Sequence, residues 1–341
     1  MILAGGLSTR LYPLTKQVPK PLVPVAGEPN AVHVIRYLKS YGIDQIAINV
    51  HYLADRITDT LGNGSAFGVE LQYLHETDLL GSAGAVKQMQ HFLGGDRFVV
   101  VGCDDLTNLR LDELLAFHDE KKALATIGLV ECADVAQYGV VVTNSDGKIV
   151  GFQEKPIRGT ELSHSVNTGI YAFAPAIFDR IPDGHFYDFG KDVFPSLQQA
   201  GEAFYGFDAQ GAYWCDIGTP DEYRRATCDV LTGTFAIPGA PRQAPVDPSA
   251  RLASPDLIDG AVWIGADASL AKNVRVAGPS VIGAGVRVDE GARIERSIVW
   301  DGASIGAGAV LRNAIIGIDY AVAAGAQLEG TIAANEPALS S

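Results

Sequence analysis

Ile264-Gly265, Leu270-Ala271, Val276-Ala277, Ile282-Gly283, Val288-Asp289 and Ile294-Glu295 place an aliphatic residue at every sixth position, each followed by a small or acidic one. After a one-residue slip the phase resumes at Val299, Ile305 and Leu311, and after a second slip at Ile316, Val322 and Leu328. A triangular parallel β-helix needs this grammar, because each aliphatic side chain points into a narrow prism and three short strands complete a coil. These register positions correspond to about four coils. A Gly-Ala-rich linker would hold no such phase, so 258–333 is read as a repeat domain and 334–341 as a tail.

Working toward the N-terminus, Pro238, Pro241, Pro245, Pro248 and Pro255 fall in a stretch without periodicity, which reads as a linker over 233–257. Before it, over 1–232, short β-branched runs alternate with helix-like segments, the pattern of an α/β domain with a mixed, mostly parallel sheet. The runs Gln45 to Val50, Glu70 to Leu74 and Arg97 to Val101 read as strands, and Ala54 to Leu61 and Ala83 to Gln90 as helices. From Val140 the strands crowd together (Val140 to Thr143, Ile149 to Glu154, Val166 to Phe173), an insertion suited to the second wall of a cleft.

Composition narrows the function. The 341 residues carry 40 acidic and 26 basic side chains, a net charge of −14, the wrong sign for a chain held to nucleic acid by counterion release. No apolar stretch is long enough to span a bilayer, and no basic region followed by a long apolar run opens the chain, so it reads as soluble and cytoplasmic. Cys103, Cys132, Cys215 and Cys228 have neither the number nor the spacing of a disulfide scaffold or a zinc site.

The main chemical signal is Leu3-Ala4-Gly5-Gly6-Leu7-Ser8-Thr9-Arg10-Leu11, running on to Pro19-Lys20-Pro21-Leu22. Small residues let backbone N–H groups approach a ligand, and such nests bind anions. Arg10, Lys16 and Lys20 stand in the first 27 residues with no acid among them, which suggests a triphosphate site. The loop is neither a Walker loop nor G-x-G-x-x-G.

LAGG-x-x-TRLYPLT followed by PKPLVPVAGEP resembles the signature of the sugar-1-phosphate nucleotidyltransferases, and the six-residue repeats resemble the left-handed β-helix that many members carry. Later segments match in order: Leu80-Gly81-Ser82-Ala83-Gly84, Asp104 within Gly102-Cys103-Asp104-Asp105, Tyr138-Gly139-Val140, Glu154-Lys155-Pro156, Asn167-Thr168-Gly169 and Trp214-Cys215-Asp216. The resemblance implies a Rossmann-like nucleotidyltransferase domain followed by a left-handed β-helix. It also implies attack of a sugar 1-phosphate on the α-phosphate of a nucleoside triphosphate, releasing pyrophosphate. Because both reactants are anionic, catalysis should rest on charge neutralisation and in-line positioning.

On this resemblance Arg10 sits on the triphosphate and Lys20 binds phosphate at the reacting centre, while Leu3, Ala4, Gly5, Gly6, Gly81 and Ser82 line the nucleotide. Asp104 and Asp216 match the family's metal aspartates and imply Mg2+, which takes one or two carboxylates plus substrate phosphates. Asp105 is a rival to Asp104. Lys155 is expected on the sugar phosphate, Glu154 and Asn167 on sugar hydroxyls, and Gly139 where the sugar approaches closely. Glu76, five before Gly81, falls where family members read the base. A carboxylate can accept from guanine N1–H and the 2-amino group together, which favours GTP and, by resemblance, mannose 1-phosphate. The alternatives are glucose 1-phosphate with thymidine or uridine triphosphate, and a regulatory paralogue that binds nucleotide-sugar without turnover.

Two departures stand out. Ser8 occupies a place where glycine is usual, at a position that calls for positive φ or close phosphate contact. The strand leading into the loop starts only just before Ala4, so either the start is truncated or the strand is minimal. His185 is the last histidine, which argues against an acyltransferase built on the repeats. The β-helix is instead expected to be an assembly or regulatory element, and the resemblance implies a homo-oligomer.

Overall fold

The computed structural model describes residues 1–239 and 246–336, and packing divides the chain into two compact units. Met1–Leu7 and Val34–Cys215 form the first; Ser8–His33 and Asp216–Ser341 form the second.

The first unit is built on a nine-stranded mixed sheet. Its path runs Ile149–Glu154, Gly139–Thr143, Ser165–Phe173, Phe98–Gly102, Ile2–Leu3, Gln45–Val50, Glu70–His75; Ala125–Glu131 pairs with Ser165–Phe173, and Phe204–Asp208 pairs with Ala125–Glu131. Ile2–Leu3 has only two residues, yet it lies mid-sheet, parallel to Gln45–Val50 on one side and to Phe98–Gly102 on the other. Strands buried on both faces read as continuous apolar runs, which is why Ile46–Val50 and Phe98–Val101 show no alternation. Past Ala125 the pairing becomes largely antiparallel, and Gly139–Thr143 with Ile149–Glu154 forms an antiparallel pair at the sheet edge. The core is aromatic: Phe98, Phe173, Phe178, Phe189, Phe194 and Phe204 are all buried, and Phe173 stacks on Phe189 with ring centroids 4.9 Å apart.

In the second unit the six-residue phase becomes three parallel sheets of five strands each, the arrangement of a left-handed β-helix. Ile264, Val276, Ile282, Val288, Ile294, Val299, Ile305, Leu311 and Ile316 all lie inside it. Each such burial contributes roughly 1.5–3 kcal/mol before chain entropy is counted. The slips are one-residue shortenings of a coil: Ser269 pairs with Arg287, 18 residues on, whereas Val281 pairs with Ile298, 17 on. The helix has one rung more than the four coils expected. Leu252 and Ile258 lie on strands of the first rung and Val246 bridges to Ile264, so the phase continues backward past 258 into residues read as linker. Proline concealed it: Pro248 and Pro255 occupy turns, where a missing N–H costs no ladder bond. Pro241 and Pro245 lie outside the described residues, as do residues 337–341 of the expected tail.

Helix Pro220–Leu231 starts with Thr219 accepting from the Glu222 N–H, a proline at its first position and Asp221 and Glu222 in its first turn. Its Tyr223 is fully buried; the hydroxyl donates to the Pro24 carbonyl at 2.6 Å and accepts from Trp300 Nε1 at 2.9 Å. Gly27, at φ +81°, lies so close beneath the Trp263 ring that a Cβ would stand 2.2 Å from it. These contacts gather Ser8–His33, the helix and the β-helix into one unit, so packing groups residues differently from the chain-order division at 232. Among the described residues no helix is long and apolar enough to cross a membrane. All four cysteines are free thiols.

Candidate functional site

The glycine loop leaves the C-terminal end of the central strand, where open α/β sheets bind their ligands. The Leu3 carbonyl accepts from the Cys103 N–H at 3.0 Å, and the Ala4 N–H donates to Asn49 Oδ1 at 2.9 Å. Gly5 is buried, and a Cβ there would stand 2.7 Å from both Asn49 Nδ2 and Glu76 Oε2. Gly6 is exposed, with open space where its Cβ would point. A Cβ at Gly5 would therefore press on the ends of these two side chains, whereas Gly6 leaves room for whatever approaches the loop.

Glu76 is 8% exposed and stands just past the strand Glu70–His75. Its Oε2 accepts from Asn49 Nδ2 at 2.6 Å and its Oε1 from the Leu80 N–H at 3.1 Å. Of the roughly four acceptor lobes of a carboxylate, these donors use two, one on each oxygen. Gly81 follows at φ +75°, with no room for a Cβ 2.5 Å from the Tyr187 carbonyl. The Ser82 hydroxyl donates to Asp188 Oδ2 and accepts from the Phe189 N–H, both at 2.9 Å. Asp188 Oδ1 also accepts from the Gly190 and Lys191 N–H groups, so its carboxylate pins the segment 187–191 to the turn at Gly81.

On the inserted strands, a Cβ on Gly139 would lie 3.1 Å from Glu154 Oε2, and one on Gly190 2.9 Å from the same oxygen. Two glycines thus frame the Glu154 carboxylate. Lys155 follows at φ +45°, its ammonium exposed and 3.6 Å from Glu154 Oε1. Asn167 donates through Nδ2 to the Tyr171 hydroxyl at 3.1 Å and accepts the Gly169 N–H at 2.9 Å. Burial pushes the Tyr171 phenol well above its usual range, which keeps it protonated.

Asp104 and Asp105 follow the strand Phe98–Gly102, and Gly102 makes room for both: a Cβ there would stand 2.7 Å from Asp104 Oδ1 and 2.6 Å from Asp105 Oδ2. The two differ in surroundings. Asp105 is buried and accepts from Trp214 Nε1 at 3.0 Å, while Asp104 is half-buried.

The second unit carries its own charged cluster. Lys20 Nζ is 3.2 Å from Asp216 Oδ1 with its side chain 9% exposed, and the half-exposed Arg10 guanidinium is 3.6 Å from Asp216 Oδ2. One carboxylate is thus flanked by a guanidinium and an ammonium, and Gly218 leaves it space: a Cβ there would meet Asp216 Oδ1 at 2.6 Å and an Arg10 nitrogen at 2.7 Å. A buried ammonium needs such a partner, because desolvating an unpaired charge costs several kcal/mol. Ser8 leads into this segment at φ +54°, ψ +41°, the left-handed conformation its glycine-like place calls for; its carbonyl accepts from Thr15 Oγ1 at 2.8 Å.

Among the described residues no group of three or more His, Cys, Asp or Glu side chains is assembled to hold a metal ion. Asp104, in the first unit, and Asp216, in the second, each offer the donor type that magnesium takes, since Mg2+ is bound by one or two carboxylates and otherwise by phosphate and water oxygens. The residues that motif reading missed are Asn49 and Asp188. Asn49 sits in the apolar run of Gln45–Val50, where a lone amide has no spacing to betray it; Asp188 precedes Phe189 and Gly190 as an ordinary capping residue would.

Residues 1–233 match the Nucleotidyl transferase family model, and residues 258–340 match the GMPPB C-terminal domain. Among similar curated proteins are the UTP–glucose-1-phosphate uridylyltransferase of Synechocystis sp., 37% identical over 88% of this chain and 82% of that protein. The mannose-1-phosphate guanylyltransferase of Mycobacterium tuberculosis is 33% identical over 87% of this chain and 82% of its own length. Among solved structures, HddC from Yersinia pseudotuberculosis aligns with a TM-score of 0.58 at 28% identity, over 66% of this chain and 96% of that one.

Proposed function

We propose that this chain, which belongs to the nucleotidyl transferase family, transfers a guanylyl group from GTP to mannose 1-phosphate, giving GDP-mannose and pyrophosphate. The observation that carries the base is Glu76, a carboxylate with two protein donors and capacity for two more, the complement of guanine N1–H and its 2-amino group. Uracil and thymine would bring carbonyls toward it. One observation favours a second reading, uridylyl transfer to glucose 1-phosphate: the 37% identical relative carries that name.

In this proposal backbone N–H groups of the loop through Leu3, Ala4, Gly5 and Gly6 receive triphosphate oxygens, and Arg10 holds the departing pyrophosphate with its planar fork. Lys20, 3.2 Å from Asp216 Oδ1, binds phosphate at the reacting centre. Asp104 and Asp216 would hold Mg2+, with Asp104 preferred to Asp105 because Asp105 is buried and engaged by Trp214. A bound magnesium ion would neutralise charge on the phosphate oxygens. Gly81 and Ser82 line the nucleotide, Lys155 binds the sugar phosphate, and Glu154 and Asn167 orient sugar hydroxyls where Gly139 allows close approach. No covalent intermediate is required. The chain works as a homo-oligomer assembled through the β-helix and acts in the cytoplasm; light scattering that returns a monomer mass at micromolar concentration removes the oligomer.

The deciding experiment is pyrophosphate release with magnesium across GTP, dTTP, UTP and ATP against mannose 1-phosphate and glucose 1-phosphate. Turnover is expected with GTP and mannose 1-phosphate. Turnover confined to UTP or dTTP with glucose 1-phosphate replaces it with the second reading, and silence throughout in a folded protein that binds nucleotide-sugar points to a regulatory paralogue.

A further inference from the structure

We infer that Asn49 is the positioning residue that sets base selectivity, by locking the Glu76 carboxylate and the glycine loop to one another; this rests on the reading of Glu76 as the guanine acceptor. Asn49 is 5% exposed and Glu76 8%, so their hydrogen bond is made away from water, where a lost partner is costly. The network fixes the amide orientation: the Ala4 N–H must face an acceptor and the Glu76 carboxylate must face a donor, which leaves Oδ1 on Ala4 at 2.9 Å and Nδ2 on Glu76 at 2.6 Å. One side chain therefore joins the loop assigned to phosphate to the carboxylate assigned to base. Glu76 is held from its other oxygen by the Leu80 N–H, so its plane is set at two points, one of them Asn49. The pair is also covered from above, since Gly5 packs with no space for a Cβ against either Asn49 Nδ2 or Glu76 Oε2. A carboxylate fixed in this way presents its remaining lobes in one direction, and two parallel N–H groups of guanine need that direction to be constant.

The test compares kcat/KM for GTP and ITP, which lacks only the 2-amino group, with mannose 1-phosphate and magnesium, in the full chain. Wild type should prefer GTP by roughly 10- to 100-fold, the worth of a hydrogen bond to a charged group. Asn49→Leu, close to isosteric and without the amide, should bring the ratio to within about threefold of unity while leaving KM for mannose 1-phosphate unchanged. Gly5→Ala pushes on the same pair from the loop side without altering either hydrogen-bonding group, and should lower the ratio in the same direction; it decides the matter if Asn49→Leu does not fold. A merely structural Asn49 would depress both nucleotides equally and leave the ratio alone. Glu76→Gln separates the two failures. If it collapses the ratio while the Asn49 and Gly5 variants keep the wild-type value, the inference about Asn49 is overturned. If Glu76→Gln itself leaves the ratio unchanged, or wild type does not distinguish GTP from ITP or turn over GTP, the reading of Glu76 falls and the inference falls with it.

Discussion

The β-helix and the nine-stranded sheet bury apolar residues by opposite rules. In the β-helix one instruction is repeated: Ile264, Ile282, Val299 and Ile316 occupy equivalent places on successive rungs of one face, each pairing with residues 17 or 18 positions away. In the sheet no strand repeats another, and the two-residue Ile2–Leu3 is held by partners about 46 and 99 positions distant in sequence. A repeated rule spreads its energy over many similar contacts, whereas a unique arrangement can concentrate chemistry at single residues. The carboxylates and cations assigned to catalysis follow the second pattern, at single positions that no period repeats.

The sharpest way to break this comparison is to remove one such residue. Asp104→Ala should lower magnesium-dependent kcat by at least about a thousandfold, the ~4 kcal/mol expected of a metal ligand, with an unchanged thermal melt. Asp216→Ala should lose as much activity and also destabilise the fold by roughly 1–3 kcal/mol, since it takes a partner from the buried Lys20 ammonium. Near-normal turnover in either variant removes that aspartate from the metal site.

Within the β-helix the contrast turns on position. Ile294→Ala, fully buried mid-stack, should cost about 2–5 kcal/mol in chemical denaturation, and Leu328→Ala on the last rung, half-buried, about half as much. Equal costs would mean that the end rung is covered by something else. Gly27→Ala meets both a positive φ and the Trp263 ring, and should destabilise by about 2–3 kcal/mol. The smallest effect is a gain. Ser8→Gly relieves a left-handed backbone at some entropic cost and should stabilise by roughly 0.5 kcal/mol, with turnover equal to wild type or higher. A loss of stability there would mean that the hydroxyl supports the loop.

Legibility followed the same division. The phase through Ile264, Ile294 and Leu328 could be read because each position repeats its neighbour's rule, and the strand at Leu252 escaped because the prolines on either side of it looked like a linker. In the sheet, the expected Gln45 to Val50 and Ile149 to Glu154 agree with the strands formed, since burial on both faces or pairing at an edge leaves a local mark. Ser8 could be flagged because a side chain at a glycine-like place implies an unusual backbone. Asn49 could not, because what makes it distinctive is having Ala4 and Glu76 as partners, and that proximity exists only after strands distant in sequence have paired.

Tyr223 has a consequence for anyone who would rearrange this chain. Its hydroxyl completes a three-point joint between the Pro24 carbonyl, its own helix and Trp300, although the reading of the sequence puts Tyr223 in one domain and Trp300 in another. A chimaera spliced at residue 232, the natural seam on paper, would pair a phenol from one parent with an indole from the other. Exchange of β-helices between relatives is therefore a problem of matching joints, and the cassette that travels intact is the β-helix together with Ser8–His33 and Pro220–Leu231.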